Sequence, residues 1–377
     1  MKIVRVTVLA FHRQLDGRAW NPAFRWRERQ APLVVVETAD GVQGIGEGWS
    51  RYTDCRSVLD ELSRVVAPLA AGCEIAHPRD AAAGLCAALP ADDGWARAAA
   101  VSALDIALWD AWARTQQMPL WQALGGESAD APAYASGALY RDDYPLTALH
   151  DEIAGYRSRG FRHVKMKIGG VAWADDLARI ATVRNALGPD GLLWVDGVNQ
   201  LDSATSDDWI ADLRCVNVAA IQSPVPFDDI DGMRRINASL PVIACEAAHR
   251  LAEFKALLQA QAVSHLQYCL TLCGGVSGGL ALDEIAQAAG VTSTPQCFST
   301  IVAQAVTLHF AAARRNVVSA EYHGFHDHLK SLAEQDLGAV HDGLASAGRG
   351  DGLGVRIPAA GVQDDGSMLT RVVQYNA

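Results

Sequence analysis

Apolar and polar positions alternate at the start of the chain. Ile3-Val4-Arg5-Val6-Thr7-Val8 has the period-2 pattern of a half-buried strand. Leu33 to Thr38, the turn Ala39-Asp40-Gly41, and Val42 to Gly46 predict a β-hairpin. The loop between them carries Arg13, Trp20, Arg25, Trp26 and Arg27. Residues 56–124 are rich in Ala and Leu and predict helices. The clearest is Ala98 to Trp112, followed by Pro119 and the stop Gly125-Gly126. From about residue 132 the pattern changes to short apolar runs, at 132–139, 162–168, 192–196, 218–222, 241–246, 264–269, 291–296 and 317–322. Helical stretches such as Trp173–Leu187, Ser206–Arg214 and Leu251–Gln259 separate them. Eight such repeats predict a closed TIM-like α/β barrel, either (β/α)8 or the modified (β/α)7β form. An open doubly wound sheet is the alternative, but no GxGxxG follows the first strand. The expected division is an α+β capping domain over 1–130, the barrel over 131–330, and a C-terminal segment over 331–377 that returns to complete the cap.

Composition narrows the function. The 377 residues are 50% hydrophobic and 20% charged, a globular mixture. A net charge of -11 disfavours a nucleic-acid partner, although a local basic cluster can still bind a small anion. No run of 18 apolar residues predicts a membrane span. The opening MKIVRVTVLAFHRQ lacks the apolar core and cleavage site of a signal peptide. The eight cysteines form no CxxC pair, and we read them as reduced thiols of a cytoplasmic protein.

In a parallel barrel, chemistry collects at the carboxyl ends of the strands. Those ends carry Lys165 and Lys167, then Asp196, Gln222, Glu246, Cys269, Gln296 and Glu321, at gaps of 23 to 31 residues. Lys165 and Lys167 fall on one face of their strand. Mutual repulsion and partial burial are expected to lower the pKa of at least one of them, making it a base near neutral pH.

At this point the chain resembles a known family. Thr38-Ala39-Asp40-Gly41-Val42-Gln43-Gly44-Ile45-Gly46-Glu47 is similar to the TxDGxxGxGE segment of the enolase superfamily, in its mandelate racemase and muconate-lactonizing branch. Ala103 to Asp110 resembles the A-x-D-x-A-L-W-D helix of that family. Pro119-Leu120 with Leu124-Gly125-Gly126 resembles the segment that follows it. Gly160-Phe161 leading to Lys165-Met166-Lys167-Ile168-Gly169 is similar to the family's K-x-K strand, and Cys273-Gly274-Gly275-Val276 to the glycine pair after the sixth strand. The resemblance implies a Mg2+ ion held by the ends of strands three, four and five, which binds a substrate carboxylate and stabilises the enediolate left by α-proton removal. By position the ligands are Asp196, Gln222 and Glu246, with Lys167 as base and Lys165 as its electrostatic partner.

Four positions depart from the family pattern. Gln222 stands where a Glu is expected, Cys269 where an Asp or Lys is expected, and Gln296 where a His is expected. The usual D-x-N becomes Asp196-Gly197-Val198-Asn199, which shifts the Asn by one residue. A base on one face only disfavours racemisation. The expectation is dehydration of a hydroxy or sugar acid, with a weakened metal site. The alternatives are a racemase, epimerase or cycloisomerase of the same superfamily, and a paralogue that kept the fold as a binding protein.

Glu321 matches an acidic residue at the end of the eighth strand, and His323, His326 and His328 follow it. His323 is nearest the strand end and is the candidate for the missing acid, against the plainer reading of a polar loop. The Arg13–Arg27 loop resembles the capping loop that sets specificity, so Arg25 and Trp26 are substrate-binding candidates, with Arg25 suited to a distal carboxylate. Trp49, Arg51 and Tyr52 match a second specificity loop, and Gln296 and Glu321 are further expected substrate contacts. Gly274 to Gly279 could instead hold a phosphate. The buried-type cysteines Cys245, Cys269, Cys273 and Cys297 are read as packing. The expected partners are a small carboxylate substrate and, by family habit, further copies of the chain.

Overall fold

The computed structural model describes residues 1–50, 54–89, 94–334 and 336–377. The chain begins with an antiparallel sheet of β1 (Ile3–Gln14), β2 (Glu28–Thr38) and β3 (Gln43–Glu47). Helix α1 (Trp95–Thr115) packs across it. The fit depends on glycine, because a Cβ on Gly46 would lie 1.9 Å from the carbonyl oxygen of Ala103 and one on Gly44 2.3 Å from that of Ala107.

The barrel follows as β4 (Asp130–Gly137), α2 (Leu146–Ser158), β5 (His163–Lys167), α3 (Trp173–Leu187), β6 (Leu192–Asp196), α4 (Ser206–Cys215) and β7 (Ala220–Gln222). It continues with α5 (Ile230–Asn237), β8 (Val242–Ala244), α6 (Leu251–Gln259), β9 (His265–Leu266), α7 (Gly275–Ala288), β10 (Thr292–Ser293), α8 (Ile301–Ala313) and β11 (Ala320–His323). Strands β4 to β10 pair in parallel in chain order, and β11 returns to pair with β4. The ring closes where Ser293 bridges Val317 and the Glu321 amide donates to the Pro295 carbonyl at 3.0 Å. A helix follows each of the first seven strands, which is the (β/α)7β form. The barrel interior is filled by Tyr134, Trp194, Ala220 and Ile243.

The final strand β12 (Met368–Asn376) pairs antiparallel with β1, from Arg5 opposite Asn376 to His12 opposite Met368. The two aspartates of the α1 motif tie the cap to the barrel and to the C-terminal segment. Asp105 accepts the Ser277 amide at the start of α7 (3.0 Å). Asp110 accepts the amides of Ile45 (2.8 Å) and Leu353 (2.7 Å). Ser102 takes the Gly274 amide at 2.8 Å. These glycine-segment amides are therefore used by the cap helix and do not form a phosphate cradle. Among the described residues no helix is long and apolar enough to cross a membrane.

Candidate active site

Strand register places the chemistry in a row. Lys167 is opposite Asp196, and Asp196 is opposite Gln222, across β5, β6 and β7. The Lys167 ammonium pairs with Asp196 Oδ2. Lys165, fully buried over the Tyr134 ring, donates to Gln222 Oε1 at 2.5 Å and Glu321 Oε1 at 2.8 Å, and lies 3.5 Å from Asp196 Oδ2. Burial alone would lower the Lys165 pKa, but Glu321, Tyr134 and Asp196 outweigh it and hold the amine above the ordinary lysine range. The expected lowering is therefore not met at Lys165, because Glu321, Tyr134 and Asp196 outweigh burial. Burial likewise opposes ionisation of Asp196 and Glu321, and the lysines reverse it and keep both carboxyls below their usual values.

Glu246 follows β8 and accepts from Ser223 Oγ at 2.6 Å. Burial, then the nearby Asp196 charge, pushes its pKa up. The loops after β6 and β7 are joined by the Asn199 amide donating to the Ser223 carbonyl at 2.7 Å. Val198, Asn199 and Ser223 have φ of 51°, 58° and 42°, a left-handed conformation costly for non-glycine residues. Those turns absorb the extra residue of the third-strand motif, and Asn199 still faces the cavity described next.

A cavity of about 430 Å³ opens above this row. Lys167, Glu246, Gln296, Glu321 and His323 line its floor and side, and Trp26, Trp49, Trp95 and Phe298 form an aromatic wall on the cap side. Gln222 and Lys165 lie beneath, fully buried. Cys269 is bridged to Gln296, and burial lifts its thiol to about 12, so it stays protonated.

Arg25 is not brought to the cavity. It makes a bidentate pair with Asp142 (2.6 and 3.0 Å), because the ribbon carrying it also pairs with Tyr140-Arg141. Tyr52 and Arg51 lie outside the described residues. The polar-loop reading of the histidines is corrected: His323, His326 and His328 are all buried, His326 against Trp26, Phe298 and Phe325, His323 against Phe298, and His328 against Phe11. Burial holds His323 and His328 down to about 3 and His326 well below its ordinary value, so the imidazoles are neutral. Sequence reasoning missed Trp95, Phe298 and His249 among the lining residues. Trp95 begins a helix recognised only from Ala98 onward, and the apolar period that reveals a helix does not single out its first residue.

Among the described residues no three His, Cys, Asp or Glu side chains converge as a metal cage. The donors that stand together are Asp196 and Glu246, with Gln222 on the strand between them. Gln222 Oε1 already accepts from Lys165 and from Gln267 at 3.2 Å, and its buried Nε2 has no partner among the described residues. Two hard carboxylates and one amide oxygen fit a small divalent cation such as Mg2+, with one negative charge fewer than three carboxylates would supply.

The comparisons agree with this architecture. Residues 8–125 match the Mandelate racemase / muconate lactonizing enzyme N-terminal domain, and residues 148–360 match the Enolase C-terminal domain-like family. The chain therefore belongs to the enolase superfamily, in its mandelate racemase/muconate-lactonizing branch. It is 30% identical to a D-galactarolactone cycloisomerase of Agrobacterium fabrum, over 95% of this chain and 97% of that protein. It is 28% identical to an arabinonate dehydratase of Saccharolobus solfataricus, a match spanning 57% of this chain and 58% of that protein's length. A solved racemase of Streptomyces coelicolor A3(2) with bound magnesium shares the fold, at a TM-score of 0.84 and 23% identity, over 94% of this chain and 97% of that one. The relatives are lyases and isomerases, and this chain is an enzyme of that type.

Proposed function

We propose that the protein removes the α-proton of a small 2,3-dihydroxy acid and expels its β-hydroxyl, a dehydration giving a 2-oxo acid. The observation that carries this reading is Lys167, whose ammonium lies at the cavity floor in contact with Asp196 and beside Glu246. In its neutral form Lys167 is the base that takes the α-proton. The departing hydroxyl leaves with a proton as water, and the resulting enol tautomerises to the oxo acid. Lys167, now carrying the proton it took, is the acid for a hydroxyl on the same face. His323, a neutral imidazole on the cavity side, donates a hydrogen bond to the leaving group.

Lys165, fixed by Glu321, lies beneath the cavity floor as a buried positive charge that would attract the substrate carboxylate. Asp196, Glu246 and the Gln222 oxygen would hold Mg2+, which when bound polarises the substrate carboxylate and makes the α-proton more acidic. Trp26, Trp49, Trp95 and Phe298 favour an acid with an apolar substituent over a fully hydroxylated chain, with Gln296 among the polar contacts. Cys269 and Gln296, neither of them a base at neutral pH, are the reason for preferring elimination over two-base racemisation. All eight thiols are free, which supports a cytoplasmic setting.

The test is incubation in D2O with a panel of 2,3-dihydroxy acids, following α-deuteration by NMR and oxo-acid formation by carbonyl trapping. Exchange with oxo-acid release is the expected result. Exchange without oxo-acid release would support a racemase, epimerase or cycloisomerase of the same superfamily in its place.

A further inference from the structure

The arrangement around Gln222 has a consequence for how ligands bind. Counted by formal charge, Glu321, Asp196 and Glu246 bring three negative charges to the barrel mouth, and Lys165 and Lys167 bring two positive ones. The net charge of this buried set is -1. Arg29 and Glu47, buried behind it, oppose each other in sign, and His323 is neutral. A divalent cation would change the set from -1 to +1. One substrate carboxylate would then return it to zero. A buried set with unbalanced charge is costly, so the cation and the anion each lower the cost of the other.

Counting acceptors leads to the same coupling. Gln222 has a single acceptor oxygen, and Lys165 holds it at 2.5 Å. A metal that took this oxygen would leave the Gln222 NH2 group facing the Lys165 ammonium, donor against donor. A carboxylate bound beside Lys165 supplies the acceptor that Lys165 would lose. We propose that Gln222 makes this a site where Mg2+ and an anionic carboxylate bind interdependently, each weakly alone and tightly together. This rests on the carboxylate-binding reading given above.

Calorimetric titration of Mg2+ into the metal-free protein tests it, with and without 2-hydroxy-2-methylpropanoate, which has no α-hydrogen and cannot react. The expected result is at least tenfold tighter Mg2+ binding with the carboxylate present. By linkage, saturating Mg2+ must tighten carboxylate binding by the same factor. Gln222→Glu supplies a second oxygen and the missing charge. It should bind Mg2+ without the carboxylate and show coupling below threefold. Tight Mg2+ binding by the wild type alone, or equal coupling in both proteins, would overturn the interdependence and leave the catalytic proposal standing. Failure of the carboxylate to bind under any condition would overturn both.

Discussion

Lys167 and Asp196 are register partners on neighbouring strands, and their side chains form an ion pair at the floor of the cavity. The candidate base is thus paired with a candidate metal ligand. A cation arriving at Asp196 competes for the carboxylate that pairs with Lys167, so metal binding and release of the Lys167 side chain are linked at one carboxylate.

Lys167→Ala should reduce α-proton exchange by about 10²–10⁴-fold, the usual contribution of a general base. NMR in D2O measures it with any acid the wild type deuterates. Exchange at the wild-type rate in the variant would remove Lys167 from the role.

Exchange should be confined to one enantiomer at the α-carbon. Gln296 and the protonated Cys269 cannot abstract a proton from the opposite face. His323→Asn should slow oxo-acid formation by about tenfold or more while sparing exchange, since His323 acts on the leaving group. Equal exchange of both enantiomers in the wild type, lost in His323→Asn, would instead make His323 a second base.

The aromatic wall predicts a selectivity. Trp26→Ala should weaken binding of 3-phenyl-2-hydroxypropanoate about tenfold, or ~1.4 kcal/mol, and leave glycerate binding within twofold. Quenching of tryptophan fluorescence reads both. An equal loss for the two acids would assign Trp26 a general packing role.

Asp105 links stability to pH. Burial lifts its carboxyl from the ordinary 3.8 to about 7. The folded state therefore holds the proton more tightly than the unfolded chain. The resulting stabilisation is complete below about pH 4 and is lost as pH rises through 7. Asp105→Asn, which keeps an acceptor for the Ser277 amide, should remove about 1–2 kcal/mol of the stability change between pH 5 and 8. The dipole of α7 keeps this below what the full shift would give. Urea denaturation at the two pH values is the check, and an unchanged pH dependence would count against it.

Gly46→Ala should destabilise by about 1–3 kcal/mol, because its Cβ would meet backbone rather than a movable side chain. Gly41→Ala is a useful contrast, since nothing lies within 4 Å of its added carbon and only its positive φ is strained. A thermal melt that failed to separate Gly46→Ala from the wild type would mean that α1 can shift away from the sheet.

Much of the barrel was legible in the chain. Helices Trp173–Leu187 and Leu251–Gln259 have the bounds their apolar period predicts, and each strand lies within a few residues of its apolar run. The row Lys167, Asp196, Gln222 was also accessible, because repeat spacing alone brings strand ends together. What periodicity cannot carry is the direction of a long side chain. Arg25 in a Trp-rich loop looks like an anion ligand, yet Asp142, distant in sequence, holds it elsewhere. The three histidines read as polar, but whether they are buried depends on Phe11, Trp26 and Phe298 from other segments.

The pairing of β12 with β1 bears on how the chain is made. Arg5 emerges from the ribosome long before Asn376, its partner across the sheet. Throughout synthesis of the barrel, one edge of the cap sheet therefore stays open, with the apolar positions of β1 next to unpaired backbone amides and carbonyls. The cap sheet is begun before the barrel and completed only after it. The nascent chain is for that reason open to edge-to-edge association until β12 has been made, and a chaperone that shields strand edges would act in that interval.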